Sequence, residues 1–202
     1  MNRPYAESAD QNKEVIVDVL RQYFVKSGNV LEIGAGTGQH ARYFSSLLTT
    51  LRWTPSEVPD YMLMLEQGIT NSGISNLIDP ISVDVNTVQP GSSGPLAVQY
   101  DYIYSANTLH IMSWQSCINL ISLVSNLLAS GGLMVTYGPY NVNNQFSSDS
   151  NERFDLWLKQ RDSLSGIRDI DDLRCEGLEK NLQIDDIIEM PVNNKMLIWR
   201  KI

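Results

Sequence analysis

The stretch that decides the fold is VLEIGAGTGQH, which runs from Val30 to His40. An apolar run leads into three glycines spaced two residues apart, and the residues after the last glycine can start a helix. A strand that turns into a helix on glycines lets the backbone approach a ligand closely and directs helix N–H groups at it. The stretch therefore predicts a strand–turn–helix unit that holds a nucleotide-like ligand.

The composition is that of an ordinary globular protein. The chain has 202 residues, of which 43% are hydrophobic and 19% are charged, and its net charge is −8. A chain this acidic argues against a nucleic-acid partner held through its phosphates. The two cysteines, Cys117 and Cys175, are too few for a disulfide scaffold or a structural zinc site. A reducing compartment is therefore expected, and no metal is predicted.

The beginning of the chain and its hydropathy bear on location. The opening MNRPYAESADQNKE is polar and acidic, unlike a secretory signal peptide. No apolar run approaches the ~20 residues that span a membrane. We expect a soluble, cytoplasmic protein with no membrane partner, and the sequence leaves its oligomeric state open.

Apolar strands and amphipathic helices alternate along the chain. Strands are predicted over residues 29–33, 51–57, 77–85, 100–106 and 133–138, with a closing pair over 182–190 and 195–201. Helices are predicted over residues 7–26 (ended by Gly28), 38–48, 59–72, 150–162 and 169–180, with another from the N-cap Ser113 to Gly131-Gly132. VQPGSSGPL (88–96) is expected to be a surface loop. This alternation predicts an α/β fold with a mainly parallel sheet and helices on both faces.

The whole chain is expected to form one domain over residues 1–202. Residues 139–150, PYNVNNQFSSDS, are polar and without periodic pattern, as active-site lids often are. With the helices that follow, residues 139–180 are interpreted as a lid and helical insertion after the fifth strand.

The glycine spacing separates three kinds of nucleotide site. The dinucleotide fingerprint needs G-x-G-x-x-G, but Gln39 stands where its third glycine would be. This residue disfavours a nicotinamide-dependent reductase. A phosphate-binding P-loop is excluded because no GK[ST] follows the turn.

The segment LEIGAGTG (31–38) resembles the first motif of class I S-adenosylmethionine-dependent methyltransferases, E/D-x-G-x-G-x-G. The resemblance implies a Rossmann-like doubly wound sheet of seven strands, in the order 3-2-1-4-5-7-6 with the last strand antiparallel. It also implies that S-adenosyl-L-methionine is the cofactor. In that family an acid at the end of the second strand takes the two ribose hydroxyls, and Glu57 matches it by position. Asp84 matches an acid that lies near the adenine amino group in that family. ANTLHI (106–111) matches the segment that flanks the transferable methyl group.

The resemblance assigns a set of cofactor-binding candidates that lie mostly where consecutive predicted strands end. They are Asn12, Glu32, Gly34, Ala35, Gly36, Gly38, His40, Glu57, Val58, Asp84, Val85 and Asn107. The carboxyl ends of the strands are the edge at which open α/β sheets bind ligands.

A narrower resemblance covers nearly the whole chain. RPYAESADQNKEVI near the start, ANTLHI in the middle and the segment from Ser148 to Leu173 are similar to the DUF938, or methyltransferase-like 26 type, family. Asn12 and the Gly166-Ile167-Arg168-Asp169 segment are among the matching residues. The start of the chain departs from the family pattern at Ser8-Ala9-Asp10-Gln11. The family resemblance implies a methyltransferase without naming its acceptor.

Three residues are candidates for the catalytic part of the site. His110 is the histidine placed to remove a proton from a methyl acceptor, because its ordinary pKa lies near neutrality. A purely structural role for His110 is an equal alternative. Tyr137 and Tyr140, with Asn107, are expected to line the acceptor pocket. Arg161 and Arg168 could clamp an anionic acceptor, but pairing with their neighbours Asp162 and Asp169 is favoured.

These observations lead to one functional hypothesis and one alternative from another class. The chain is expected to be an S-adenosylmethionine-dependent methyltransferase acting on a small molecule. The alternative is a non-catalytic protein that keeps the cofactor pocket and serves as a binding module or partner subunit.

Overall fold

The computed structural model describes residues 3–88 and 94–202. Its strands are β1 (Gly28–Ile33), β2 (Leu51–Glu57), β3 (Ile81–Ser82), β4 (Tyr100–Ala106), β5 (Leu128–Gly138), β6 (Tyr140–Asn141), β7 (Arg168–Asp169), β8 (Leu182–Met190) and β9 (Asn194–Lys201). Its α-helices are α1 (Glu7–Tyr23), α2 (Gln39–Leu47), α3 (Met62–Ile69), α4 (Trp114–Leu127), α5 (Asp149–Arg161) and α6 (Ile170–Glu179). Within the described ranges, no helix has both the length and the apolar character needed to cross a membrane.

Seven strands form one sheet in the order β3-β2-β1-β4-β5-β9-β8. β1 pairs in parallel with β2 and with β4, whereas β9 runs antiparallel to β5 and β8. The two short strands β6 and β7 form a separate parallel pair. The predicted α/β fold and strand order are confirmed, with β9 and β8 as the seventh and sixth strands of the expected order.

The chain divides into two compact units. The first unit comprises Met1–Asp84 with Tyr100–Tyr104, and the second comprises Val85–Gln99 with Ser105–Ile202. The expectation of one domain with a lid over residues 139–180 stays a prediction.

The core of the first unit is built on the apolar side chains of β1. Val30 and Leu31 are fully buried. Phe44 of α2 packs edge-on against Trp53 of β2 and Tyr104 of β4, with ring centroids 5.6 Å and 5.5 Å away. Such aromatic pairs contribute about 0.5–1.5 kcal/mol each beyond the area that they bury. They hold α2, the helix that follows the glycine turn, against the sheet.

Helix α3 packs directly on the glycine turn between β1 and α2. A Cβ atom at Gly68 would lie 2.0 Å from the carbonyl oxygen of Thr37. A Cβ atom at Gly38 would lie 2.6 Å from the side chain of Ile69. Both glycines therefore permit an approach of helix to turn that no larger residue allows, and the shape of the turn depends on α3.

Helix α4 lies in the second unit. The helix begins at the predicted N-cap Ser113, whose hydroxyl accepts the N–H of Ser116 at 3.0 Å. Cys117 is fully buried, as its place on the apolar face predicts. β6 pairs with β7, so the segment after β5 is joined to the chain that follows α5.

The structure corrects several expected boundaries. The third strand is limited to Ile81–Ser82, because Pro80 has no N–H group to continue a ladder over 77–85. Gly131-Gly132 does not end α4; the helix ends at Leu127 and the chain extends directly into β5. The leading helix ends at Tyr23, before Gly28, which opens β1. Residues 139–150 are not wholly irregular, since they contain β6 and the start of α5.

Of the predicted surface loop 88–96, residues 89–93 lie outside the described residues. Gly94–Ala97 form a turn of 3-10 helix.

We predict that Gly68→Ala destabilises the protein although alanine favours helices. The gain in helix propensity is about 0.5–1 kcal/mol, whereas forcing a methyl group against the Thr37 carbonyl costs about 1–3 kcal/mol. Urea denaturation measures the difference in the free energy of unfolding. Gln67→Ala, at the exposed neighbouring position of α3, is the matched control and should change it by less than about 0.5 kcal/mol. A Gly68→Ala variant as stable as the control would contradict the close packing of α3 on the turn.

Candidate cofactor site and proton acceptor

The glycine turn has the backbone conformation that its sequence predicts. Gly34, Gly36 and Gly38 have φ values of 74°, 55° and 69°, in the left-handed region that favours glycine. A Cβ atom at Gly36 would meet no atom within 4 Å. The turn therefore leaves open space directly beside its central glycine, into which a ligand can approach the backbone.

Glu57, at the end of β2, faces this turn. One carboxylate oxygen accepts the N–H of Gly36 at 2.8 Å and the other accepts the N–H of Val58 at 2.9 Å. A carboxylate offers about four acceptor positions. Glu57 is thus fixed at the central glycine and retains acceptor positions for two neighbouring hydroxyl groups.

Glu32, the acid of the motif, is buried inside the unit. It is 2% exposed, and its carboxyl group accepts the indole N–H of Trp53 at 2.6 Å. Burial raises the pKa of Glu32 to about 8, which the hydrogen bond from Trp53 only partly opposes. At neutral pH the carboxyl group is therefore largely protonated, and its direct contact is with β2.

His40 and Asn12 lie together behind the turn. The Nε2 atom of His40 is 2.7 Å from the Asn12 Oδ1 atom, and its Nδ1 atom is 3.2 Å from the Tyr104 hydroxyl. Burial lowers the pKa of His40 to about 4, so the ring is neutral at pH 7. A neutral ring donates through Nε2 to Asn12 and accepts from Tyr104 through Nδ1. Both ring nitrogens are occupied, and His40 ties α1 to α2.

Gln39 has a role that the sequence analysis missed. Its buried side-chain oxygen accepts the backbone N–H of Ala6 and, at 2.9 Å, the hydroxyl of Thr37. The side chain that excludes a dinucleotide fingerprint thus fastens the N-terminal segment to the turn. The sequence signal for this role was a polar residue at the position where the dinucleotide fingerprint has the glycine that packs its helix on the strand. The isolated Gly68 in an apolar helix was a similar signal for the packing of α3.

The remaining candidates of the first unit differ in their surroundings. Ala35 donates its N–H to Ser56 and accepts the N–H of Gly38, both at 2.9 Å, which closes the turn. Asp84 follows β3, which is held to the end of β2 by the hydrogen bond from the Val83 N–H to the Glu57 carbonyl. Val85, the next residue, belongs to the second unit and is buried.

In the second unit, Asn107 and His110 face the end of β5. Asn107 has a left-handed backbone, with φ of 55°, and its N–H donates to the Tyr137 carbonyl at 2.8 Å. A Cβ atom at Gly138 would lie 3.5 Å from His110 Nδ1 and 4.0 Å from Asn107 Oδ1. The structure therefore brings both predicted residues to one glycine.

His110 is buried yet chemically available. It is 6% exposed, and its ring packs edge-on against Phe154 with centroids 5.3 Å apart. Neither ring nitrogen has a hydrogen-bond partner in the part of the chain that the structure describes. Burial, with the positive charges of Arg168 and Arg161, lowers the pKa of His110 to about 4. The imidazole is therefore neutral at pH 7 and can accept a proton.

Tyr137 and Tyr140 are both buried. The hydroxyl of Tyr140 donates to Thr136 Oγ1 at 2.9 Å, and the indole N–H of Trp199 reaches the same oxygen at 3.1 Å. Burial raises the pKa of Tyr140, which keeps the phenol neutral. The contacts of Tyr140 are with the interior of the unit, and its predicted role at an acceptor pocket stays a prediction.

The favoured pairing of the two arginines with their neighbours is wrong. The guanidinium of Arg168 donates to the carbonyl oxygens of Leu109 at 3.1 Å and Leu164 at 2.9 Å, and also to that of Met112. Asp169 instead caps α6, accepting the N–H of Asp171. Arg168 thus fixes the backbone around His110.

Arg161 and its neighbour Asp162 also have separate partners. The Arg161 guanidinium lies over the ring of Trp157, 5.2 Å from its centroid. Asp162 accepts the N–H of Leu164 at 2.9 Å. Arg161 therefore stacks on α5 itself, where its charge still acts on His110.

The family of the chain follows from comparison with family models. The model described as "Protein of unknown function (DUF938)" matches residues 3–201. The match covers nearly the whole chain and agrees with the resemblance seen in the sequence.

Three solved structures that share the fold of the chain are described as methyltransferases. An O-methyltransferase family protein from Burkholderia thailandensis matches with a TM-score of 0.81 and 11% identity, over 96% of this chain and 57% of that chain. Human N-acetylserotonin methyltransferase in complex with SAM matches with a TM-score of 0.76 and 14% identity, over 96% and 53%. An O-methyltransferase family 2 protein from Planctomyces limnophilus, in complex with apigenin, matches with a TM-score of 0.72 and 15% identity, over 94% and 62%. The chain thus spans little more than half the length of these proteins and shares their fold.

The buried acid Glu32 predicts a specific pH dependence of stability. Its pKa of about 8 lies above the value of 4.5 for an exposed glutamate, so the folded state holds a proton that the unfolded state loses between these values. The contribution of Glu32 to the free energy of unfolding is fully present below pH 4.5 and is lost as the pH rises toward 8. Glu32→Gln keeps an oxygen for the Trp53 indole but does not titrate. We expect Glu32→Gln to gain stability relative to the wild type by a few kcal/mol on going from pH 5 to pH 8.

Urea denaturation of both proteins at each pH measures this difference. The comparison cancels His40 and His110, whose lowered pKa values act in the opposite direction. Parallel pH profiles of the two proteins would show that Glu32 is ionised in the folded state.

Proposed function

Starting from the DUF938 family, to which this chain belongs by a match over residues 3–201, we propose that the protein is an S-adenosylmethionine-dependent methyltransferase acting on a hydroxyl group of a small molecule. The observation that carries the proposal is the Glu57 carboxylate fixed at the central glycine of a turn with open space beside it. A carboxylate beside a backbone turn is suited to a ligand that carries two neighbouring hydroxyl groups and, next to them, a chain of atoms that can lie along the turn.

The residues of the first unit fit the cofactor chemically. Glu57 would accept the ribose hydroxyls, and the turn from Gly34 to Gly38 would face the methionine and ribose part. Ala35, Val58, Asp84 and Val85 remain candidates for the rest of the cofactor. When bound, S-adenosylmethionine supplies a methyl group on a positively charged sulfur. The neutral state of His40 suits this ligand, because a cationic ring beside the turn would repel a sulfonium.

Other candidates act by holding the turn in shape. Glu32 fastens β1 to β2 through Trp53, and Asn12 fastens α1 to His40. In this proposal they preorganise the site rather than touch the reacting atoms. Preorganisation matters because methyl transfer depends chiefly on proximity and alignment.

His110 is proposed as the group that removes the proton of the acceptor. Its free ring nitrogens and its pKa of about 4 make it a neutral acceptor at pH 7. Positioned bases of this kind typically contribute about 10²–10⁴-fold to the rate. Arg168 positions His110 by binding the carbonyls of Leu109 and Met112 on either side of it.

Two considerations support an oxygen atom on a small molecule as the acceptor. Two of the structures that share the fold are named as O-methyltransferases, and one of them holds apigenin. A hydroxyl group must lose its proton when it is methylated, and a neutral histidine can accept that proton. Asn107 and Tyr137, joined by a backbone hydrogen bond, are the proposed neighbours of this acceptor, with Tyr140 behind them.

The proposed location is the cytoplasm. Cys117 and Cys175 are both free, which suits a reducing compartment. The net charge of −8 suits a small-molecule partner better than nucleic acid.

We predict that Glu57→Ala weakens the binding of the cofactor product S-adenosylhomocysteine. The loss should be on the order of 1–3 kcal/mol, because two ribose hydroxyls and the Gly36 N–H lose their acceptor. Titration calorimetry measures the change in Kd. Glu66→Ala, which removes an exposed carboxylate from α3, is the matched control and should bind as the wild type does. An unchanged Kd in a folded Glu57→Ala variant would remove Glu57 from the site.

We predict that His110→Gln loses methyl transfer while keeping the cofactor. The rate of labelled-product formation should fall by about 10²–10⁴-fold, since the base is removed. The assay incubates radiolabelled S-adenosylmethionine with a metabolite extract and separates the products. Calorimetry with S-adenosylhomocysteine should give the wild-type Kd, and Gln160→Ala on the exposed face of α5 should retain full activity.

The same assay distinguishes the alternative function. A wild-type protein that binds S-adenosylhomocysteine but labels no product in the extract would be a binding module or partner subunit. A His110→Gln variant with full activity would leave His110 a structural role. Because the ring is unprotonated well above pH 4, wild-type activity should not fall through this group between pH 8 and pH 6.

A further inference from the structure

A cavity lies in the first unit, beside α2. It has a volume of about 360 Å³ and is lined by the N-terminal segment, α1, α2 and Ile74. Three of its lining residues are cations: Arg3, Lys13 and Arg42. We call it the basic cavity. Its volume is within the range of pockets that hold small ligands, about 300–1,000 Å³.

Arg42 carries a charge that the protein does not neutralise. Its Nε atom is buried and has no hydrogen-bond partner within residues 3–88 and 94–202. Among the ion pairs of these residues, none includes Arg42. A buried donor without a partner is costly, and such groups are rare in folded proteins. Arg42 therefore provides a hydrogen-bond donor that no acceptor in the described residues uses.

Arg3 brings a second guanidinium to the same cavity. Its Nη2 atom donates to the carbonyl oxygens of Thr70 at 3.0 Å and Asn71 at 3.2 Å. Carbonyl groups fix the side chain without cancelling its charge. The pKa of Arg42 is lowered by burial and, in addition, by the positive charge of Arg3. The two guanidinium groups thus repel each other at the cavity, and a bound anion would offset this repulsion.

The third cation is already paired. Lys13 forms an ion pair with Asp10 and lies 5.3 Å from the centroid of the Tyr43 ring. Asp10 is the carboxylate that lines the cavity, so one of the three positive charges is balanced. The basic cavity is consequently a positive site on a chain whose net charge is −8.

We propose that the basic cavity binds the phosphate group of a small phosphorylated metabolite. Guanidinium groups donate several hydrogen bonds in a planar fork that matches phosphate oxygens. Arg42 donates through its free guanidinium, and Arg3 closes over the anion from the N-terminal segment. None of the proposed cofactor residues lines the cavity, although Gln39, which accepts the hydroxyl of Thr37 in the turn, does. Arg42 and Tyr43 line it, whereas His40 and Phe44 of the same helix are buried.

Titration calorimetry with two probes, inorganic phosphate and ribose 5-phosphate, tests the proposal at constant ionic strength. The wild type should bind both saturably with one site, and ribose 5-phosphate should bind at least as tightly as inorganic phosphate. Arg42→Gln should weaken both at least tenfold. Arg52→Gln, which removes an exposed arginine from β2 outside the cavity, is the matched control and should leave both Kd values unchanged.

Two further measurements keep the test decisive. Circular dichroism and the Kd for S-adenosylhomocysteine should be those of the wild type in Arg42→Gln, so that lost folding or a failed cofactor proposal is distinguished from a lost anion site. Arg3→Gln, on an exposed side chain, should also weaken phosphate binding. The absence of saturable phosphate binding by the wild type would overturn the proposal. So would equal binding by Arg42→Gln, or binding of inorganic phosphate with exclusion of ribose 5-phosphate.

Discussion

The hydrogen bond from the Gly36 N–H to the Glu57 carboxylate is the contact on which the candidate cofactor site depends. It joins the glycine turn after β1 to the end of β2, so neither can move without the other. The backbone at Gly36 is left-handed, a conformation that favours glycine. The packing of Gly68 on the Thr37 carbonyl holds the same turn from the side of α3. A short loop without side chains is thereby held rigid and still leaves one face open.

The two histidines show how similar burial can produce different chemistry. His40 and His110 are each 6% exposed, and burial lowers the pKa of each to about 4. The nitrogens of His40 are used by Asn12 and Tyr104, so the neutral ring is a structural link between α1, α2 and β4. The nitrogens of His110 have no such partners in the described residues, and its backbone is fixed by Gly166 and Arg168. Hydrogen-bond occupancy, rather than burial, is what distinguishes the two histidines.

The sequence predicted what depends on local pattern and missed what depends on distant pairing. β2 and β4 lie at the expected residues because each is a seven-residue segment centred on large apolar and aromatic side chains. Ser113 was recognisable as an N-cap because capping acts within one turn. The β6–β7 pair was not predictable, since two-residue strands have no periodicity.

The same distinction between local pattern and distant pairing applies to the candidate cofactor site. The glycine turn and Glu57 follow from spacing along the chain. The indole of Trp53 on Glu32, twenty-one positions away, and the carbonyls around Arg168 became visible only once the chain had folded. Neighbouring arginines and aspartates suggested ion pairs, but backbone carbonyl oxygens compete for the same guanidinium. Arg168 binds three of these carbonyls at once, while the carboxylate of Asp169 accepts the N–H groups of Asn144 and Asp171. Arg168 therefore serves the backbone around His110, and its charge, felt by the imidazole, helps to keep that ring unprotonated.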